Sequence, residues 1–154
     1  MKYIKPFTYN YKKIGNEEYT FTNKHGTVYN VTFSDGLFQY STVKYGFSYT
    51  NEKDSINVMN TLIEIIVDFL STDEYGEVYS DNLHSGREIK KIKSDNIDTK
   101  EPPINIGRRV KNNRTRFLEK YLKTLPSEFG FEVDPFAGNE DNNGNVNLIK
   151  IYRK

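Results

Sequence analysis

Alternation of large and polar side chains in the first fifty residues constrains the fold most. Aromatic or branched residues stand at every second position, at Tyr19, Phe21, Tyr29, Val31 and Phe33. A turn sequence ends each run: Asn23–Gly26 follows the first, and Ser34–Gly36, with its Asp-Gly pair, follows the second. Because neighbouring side chains of a strand point to opposite faces, the pattern predicts half-buried strands joined by tight turns.

Two flanking segments extend this predicted sheet. Leu37–Tyr49 keeps a period of two over its last residues, and Ile4–Tyr11 alternates in the same way. Pro6 has no backbone N–H to donate, which places the second segment at an edge of the sheet. Together the segments predict an antiparallel β-meander of three to four strands.

A long apolar helix is predicted after the sheet. Asp54 or Ser55 provides its N-cap, and the helix ends near Ser71–Asp73. Beyond Val58, the residues that interrupt its apolar surface are Asn60, Thr61, Glu64 and Asp68. A helix that is apolar around most of its circumference lies against a sheet and is largely covered.

Polar segments and short elements follow this helix. A strand at Glu77–Ser80 precedes a short basic helix, Ser85–Ile92. The next segment, Ser94–Ile106, is polar, contains Pro102 and Pro103, and shows no hydrophobic period. We interpret residues 94–106 as an exposed polar insertion.

A second helix and two strands complete the predicted architecture. Gly107–Leu125 has apolar residues along one side and Pro126 after its end, and Phe129–Val133 and Val146–Tyr152 read as closing strands. A length of 154 residues suits one domain, so residues 1–154 are predicted to form a single domain. The fold class is α+β: a β-meander of three to four strands plus C-terminal strands, with two main helices packed on one face.

Charge is divided unevenly along a chain whose net charge is only +1. Between His84 and Thr124 there are twelve Lys and Arg against five Asp and Glu, whereas the remainder carries ten basic against sixteen acidic residues. We call residues 84–124 the basic band. Such an asymmetry steers association with a partner of opposite charge.

The basic band supplies the candidate partner-binding residues. They are Arg87, Lys90, Lys91, Lys93, Arg108, Arg109, Lys111, Arg116, Lys120 and Lys123. An acidic protein surface or nucleic-acid phosphates would suit them, and the alternative is a solvated helix face. No aromatic residue is expected among the exposed cations, which disfavours the base-stacking mode of single-strand binding proteins.

Arg114 stands on the apolar side of the second predicted helix, between Val110 and Phe117. A guanidinium there needs a partner, because an unpaired buried charge costs several kcal/mol. Asp68, near the end of the first helix, can reach it if both helices lie on one sheet face. We therefore predict a structural ion pair between Arg114 and Asp68, in preference to a ligand-binding role.

The sequence predicts no enzyme, no metal site and no cofactor. It has no Cys and only two His, and it lacks a Gly-x-Ser-x-Gly elbow, a phosphate loop and a dinucleotide fingerprint. His84-Ser85 has no identifiable third member of a catalytic set. The loop Asp134–Gly144 is rich in acidic and amide side chains but lacks the Ca²⁺-binding pattern of an EF-hand, so we interpret it as a solvated turn.

No secretion signal and no transmembrane segment are expected. Lys2, Lys5 and Pro6 follow Met1 closely, and the longest apolar run, Leu62–Leu70, is interrupted by acidic residues. That run is shorter than the about 20 residues that a bilayer-spanning helix needs. The sequence thus predicts no membrane partner.

Three stretches resemble a group of small uncharacterised proteins encoded by tailed bacteriophages. They are Tyr19–Thr22 with Gly26–Phe33, then Thr61–Phe69, then Asn113–Leu122 with Phe129–Phe131, and they extend over about two thirds of the chain. The polar segment between Ser80 and Gly107 and the last strand depart from that pattern. The resemblance implies a phage origin and an α+β fold, and it implies no known activity.

These observations lead us to expect a non-enzymatic bacteriophage protein that acts through contacts with other phage or host proteins. A virion structural or assembly component is the leading hypothesis. The alternatives are a small host-directed inhibitor of a bacterial defence system and a nucleic-acid-binding protein with a basic surface. The expected location is the virion or the host cytoplasm.

Overall fold

A computed structural model describes residues 7–46, 50, 52–72, 76–83, 113–134 and 146–154. The predicted basic helix Ser85–Ile92 and the predicted insertion at 94–106 lie outside the described residues. The loop 135–145 lies outside them too. The described segments form two sheets and two helices.

Four consecutive antiparallel strands form sheet A. They are β1 (Tyr11–Gly15), β2 (Glu18–Thr22), β3 (Val28–Thr32) and β4 (Gln39–Thr42), in the spatial order β1-β2-β3-β4. Tyr19 lies opposite Val31, and Phe21 lies opposite Tyr29, so large side chains share one face of the sheet. The outer face carries small polar side chains such as Thr20 and Asn30. This register confirms the predicted β-meander.

The two flanking strands differ from the prediction. Residues 7–10 are not in a strand, and β1 begins at Tyr11. The backbone N–H of Tyr9 donates to Oγ1 of Thr61 at 2.8 Å, so this segment is bound to the helix and does not pair with β2. Strand β4 ends at Thr42 because the chain turns back at Gly46, whose N–H donates to the carbonyl of Thr42. The rest of the predicted strand, 47–49, lies outside the described residues.

The apolar helix α1 spans Ser55–Thr72, as predicted, and forms the centre of the core. Almost every side chain from Val58 to Leu70 is buried. The rings of Phe33 and Phe69 stack in parallel with centroids 4.0 Å apart, which joins α1 to the end of β3. By length and composition α1 is the one described helix that could cross a membrane, and its burial within the protein accounts for that composition.

Sheet B contains three strands that are distant in sequence. They are β5 (Glu77–Leu83), β6 (Phe129–Asp134) and β7 (Val146–Arg153), and β7 lies in the middle with an antiparallel neighbour on each side. Val78, Ile149 and Ile151 point into the core. The second helix, α2 (Asn113–Leu122), contacts α1 and β5. Residues 107–112 of the predicted helix lie outside the described residues.

Hydrogen bonds join sheet B to sheet A and to α1. The N–H of Phe38, just before β4, donates to the carbonyl of Tyr79 in β5 at 2.7 Å, which links the edges of the two sheets. Sheet B is also bound to the helix, because the guanidinium of Arg153 in β7 donates to the carbonyl of Leu70 in the last turn of α1. The predicted α+β fold, with antiparallel sheets and two helices, is confirmed.

Candidate partner-binding surface

Helix α2 forms because its apolar residues recur at helical spacing. Thr115, Leu118, Tyr121 and Leu122 are buried against the rest of the core. Intrahelical bonding continues briefly beyond the last helical residue, since the N–H of Lys123 donates to the carbonyl of Glu119 at 3.1 Å. Pro126 has no N–H to continue this pattern, and the chain turns into β6. The end of α2 and the start of β6 are consequently neighbours.

Three of the predicted binding residues lie together on the outer side of α2. Arg116, Lys120 and Lys123 are all exposed. Spacings of four and three residues bring side chains to the same side of a helix. We call these three residues the basic stripe. In the part of the chain that the structure describes, none of the three forms an ion pair with a carboxylate, so their charges face solvent.

An aromatic side chain borders the basic stripe, contrary to the sequence-based expectation. Phe117 is 37% exposed, and its ring meets the buried ring of Tyr121 edge to face at 5.3 Å. The ammonium of Lys120 lies 5.7 Å from the centroid of the Tyr121 ring. Phe117 follows Arg114 on the apolar side of the predicted helix, yet its side chain is only partly covered.

An open groove begins at the end of the basic stripe. It has a volume of about 360 Å³ and lies between the turn after α2, the start of β6 and the end of β7. Its apolar lining comes from Leu122, Leu125, Pro126, Phe131 and Tyr152. Two cations, Lys123 of the basic stripe and Lys154, also line it. The groove therefore combines an apolar surface with positive charge.

Gly130 in β6 determines the shape of this groove. It lies opposite Tyr152 of β7, and a Cβ atom at Gly130 would approach the phenol end of the Tyr152 ring to 2.9 Å. Without that atom, the ring of Tyr152 lies across the backbone of Gly130, a known way of compensating for a glycine in a strand. The aromatic lining of the groove depends on this close approach.

The other predicted binding residues stay predictions. Arg87, Lys90, Lys91, Lys93, Arg108, Arg109 and Lys111 lie outside the described residues. The side chain of Arg114 also lies outside them, so its ion pair with Asp68 stays a prediction. Asp68 does have a partner in the core: its Oδ2 accepts a hydrogen bond of 2.8 Å from the hydroxyl of Tyr19.

A row of tyrosines and carboxylates, between residues 9–19 on one side and residues 54–68 on the other, was not predicted. In addition to Tyr19 and Asp68, the hydroxyl of Tyr9 donates to Oδ2 of Asp54 at 2.7 Å. Burial, together with the hydrogen bond to Asp68, raises the pKa of Tyr19. Burial raises the pKa of Tyr11 as well, with the negative charges of Asp68 and Glu64 adding to the effect. These groups connect sheet A to α1.

A metal site is absent from the described residues, where no three His, Asp or Glu side chains are grouped to hold an ion. His25 is exposed in the turn between β2 and β3. His84-Ser85 and the loop from 135 to 144 lie outside the described part of the chain. Comparison with protein-family models, curated proteins and solved structures found no match.

Proposed function

We propose that this chain is a non-enzymatic bacteriophage protein that works through protein contacts, as a structural or assembly component of the virion. The basic stripe and the adjoining groove form its contact surface. The resemblance of three sequence stretches to small tailed-phage proteins supports a phage origin, and the exposed cations of α2 support a contact surface on that helix. The single observation that carries it is the direct continuity of the basic stripe with the groove through Lys123.

The apolar lining favours a protein partner. Protein interfaces combine an apolar centre that excludes water with a polar or charged rim. The groove and the basic stripe have this arrangement, with Leu125 and Phe131 inside and Lys123 and Lys154 beside them. A phosphate backbone would use the cations and leave the groove empty, because its affinity comes from charge neutralisation.

Nucleic-acid binding is the second candidate, and Phe117 is the observation that favours it. A partly exposed aromatic ring next to Arg116 provides one stacking platform and one cation, the two groups that single-strand binding proteins combine. Binding of a single-stranded oligonucleotide that weakens steeply between 50 and 200 mM salt would support this candidate, since each neutralised phosphate contributes to the slope.

Incorporation of the protein into virus particles tests the main proposal. Particles of the source virus are purified and examined by mass spectrometry, with either the wild-type chain or Arg116→Glu/Lys120→Glu/Lys123→Glu supplied during infection. We expect the wild type in particles and the triple variant to be lost from them. The matched control, Lys12→Glu/Lys24→Glu/Lys53→Glu, makes the same charge change at exposed lysines elsewhere and should be incorporated normally.

Three outcomes would decide against this role. Retention of the triple variant in particles would exclude the basic stripe as the contact surface. Equal loss of the control variant would show that only net charge matters. A wild-type protein found in infected cells but missing from purified particles would favour the host-directed inhibitor instead.

A further inference from the structure

We propose that the groove receives one bulky apolar side chain from an acidic segment of the partner protein, while carboxylates on either side of that side chain contact Lys123, Lys154 and the rest of the basic stripe. This inference rests on the proposed function, because it names the chemistry of the partner at the same surface. It adds a requirement that charge alone does not impose: an apolar anchor at a fixed place between acidic residues.

The groove has room for a bulky side chain. Its volume of about 360 Å³ is near the lower limit of the roughly 300–1,000 Å³ that small-molecule pockets occupy. The groove is also open at the surface between α2 and β6, so a side chain on an extended backbone can enter it from outside. Phe131 and Tyr152 provide aromatic surface for an incoming ring, which pairs with other rings edge to face or in offset stacks.

The positions of the cations define the charge of the partner. Lys123 directly follows α2 and Lys154 directly follows β7, and both line the groove. A segment whose apolar residue occupies the groove passes close to both ammonium groups. Carboxylates beside the apolar residue therefore meet positive charge, whereas basic residues at the same places would be repelled.

The basic stripe extends this recognition along α2. Arg116 and Lys123 are seven residues apart, which corresponds to about 10 Å along the helix axis at 1.5 Å per residue. An extended peptide rises about 3.3 Å per residue, so about three of its residues cover that distance. The expected partner segment thus carries one aromatic or large aliphatic residue followed or preceded by acidic residues within about three positions.

Labelled peptides test this inference on the complete chain. The probes are fluorescein-labelled Glu-Glu-Phe-Glu-Glu and Glu-Glu-Ala-Glu-Glu, and binding is followed by fluorescence anisotropy at low salt. Their charges are the same, so the Phe-to-Ala change isolates the groove. We expect the Phe peptide to bind about tenfold more tightly, a difference that corresponds to about 1.4 kcal/mol.

Filling the groove should remove that preference. Ser127 is exposed and lines the groove, so Ser127→Trp introduces a ring at its mouth, and Ser127→Ala is the matched control. The Trp variant should bind the two peptides equally, and the Ala variant should keep the tenfold difference. If the Trp variant does not fold, shifts of the Gly130 and Phe131 amide resonances in the wild type on adding the Phe peptide serve as the second measurement.

The two proposals fail in different ways. Equal binding of both peptides by the wild type, or an unchanged preference in Ser127→Trp, would overturn the groove inference even if charge reversal still prevents incorporation into particles. Absence of peptide binding together with tight binding of a twelve-nucleotide oligo(dT) would overturn it as well and identify the basic stripe as a nucleic-acid surface. Retention of the charge-reversed protein in particles would overturn the proposed function whatever the peptides do.

Discussion

The hydroxyl of Tyr19 donates a hydrogen bond of 2.8 Å to Oδ2 of Asp68, a contact that spans 49 residues of sequence. Tyr19 has no exposed surface, and Asp68 is only partly exposed at the sheet-facing side of α1. The contact fixes the position of β2 along the helix, because the phenol reaches the carboxylate from only one register. It also gives Asp68 a structural partner that is independent of Arg114.

Replacement of Tyr19 by Phe should lower the free energy of unfolding by about 1–3 kcal/mol. The substitution keeps the ring in the core but removes a hydrogen bond to a charged group and leaves the carboxylate of Asp68 without that donor. Urea unfolding measured at pH 7 checks this. Tyr45→Phe, at a partly exposed ring outside the core, is the control and should change stability by less than about 0.5 kcal/mol. A smaller loss for Tyr19→Phe than for the control would contradict the structural role.

Alkaline pH should destabilise the protein, and Tyr19 should contribute to that effect. Burial raises the pKa of both Tyr19 and Tyr11 above the value of about 10 for tyrosine in an unfolded chain. Above pH 10 the unfolded state loses these protons first, so the stability that is present below pH 10 declines as pH rises. Unfolding free energies measured from pH 8 to pH 11 should fall less steeply in Tyr19→Phe than in the wild type. Parallel slopes would argue that Tyr19 ionises as it does in the unfolded chain.

The stacked rings of Phe33 and Phe69 should contribute strongly to stability. Both side chains are at least 95% buried, and truncation of a buried Phe to Ala costs about 3–5 kcal/mol through lost burial and a residual cavity. Phe69→Ala should therefore come close to unfolding the protein, as measured by its denaturation midpoint. Phe69→Leu, which keeps most of the volume, should cost less than about 1.5–2 kcal/mol. Similar effects of the two substitutions would show that the site relaxes around the loss.

Asn23 should be sensitive to charge, because it connects the β2–β3 turn to Glu52. Its Oδ1 accepts hydrogen bonds from the N–H groups of His25 and Thr27, and its Nδ2 donates to Glu52 at 3.0 Å. The hydrogen bond from Thr27 lowers the pKa of Glu52, so that carboxylate is ionised at neutral pH.

Asn23→Asp keeps the acceptor but places a second carboxylate against Glu52. The variant should be clearly less stable than the wild type at pH 7, and the difference should shrink as the pH falls below about 5 and the carboxylates gain protons. Asn23→Ala removes the acceptor from two N–H groups and should cost about 1–3 kcal/mol with a weaker dependence on pH. Thermal unfolding at pH 7 and pH 4 distinguishes these cases, and a pH-independent loss in Asn23→Asp would exclude carboxylate repulsion.

The elements with a clear local period could be predicted from the sequence. Strands β2 and β3 alternate strictly, and α1 begins and ends within a residue of its predicted bounds, because its apolar residues and the flanking turn residues are local signals. The predicted N-cap is wrong in its detail: Oδ2 of Asp54 accepts the hydrogen bond from Tyr9, and Oδ1 has no hydrogen-bond partner among the described residues. The start of β1 could not be predicted, since it depends on Tyr9 binding Asp54, just before α1, and Thr61 in α1. The arrangement of sheet B could not be predicted either, because it also depends on contacts between distant residues. Nothing near β5 indicates that its neighbour is β7, about 70 residues later.

One part of the candidate site could be predicted from the sequence, and the other part could not. The cations at Arg116, Lys120 and Lys123 were predicted as binding residues because their helical positions follow from local sequence. The groove was not predicted, since Phe131 and Tyr152 have the alternation of ordinary strand residues. Only the pairing of β6 with β7, and the absence of a Cβ at Gly130, brings those rings to the turn after α2. The sequence signal that could have indicated the groove is Gly130, which stands between Phe129 and Phe131.

The central position of β7 in sheet B has a consequence for the order of events during synthesis. Sheet A is made of neighbouring hairpins and can close as soon as residues 11–42 are available, since short loops cost little entropy to form. Strands β5 and β6 have no hydrogen-bonded neighbour in sheet B until residues 146–153 have been made. Until then the faces of Val78 and Phe129 stay uncovered by β7, and a nascent or truncated chain would expose a surface prone to aggregation.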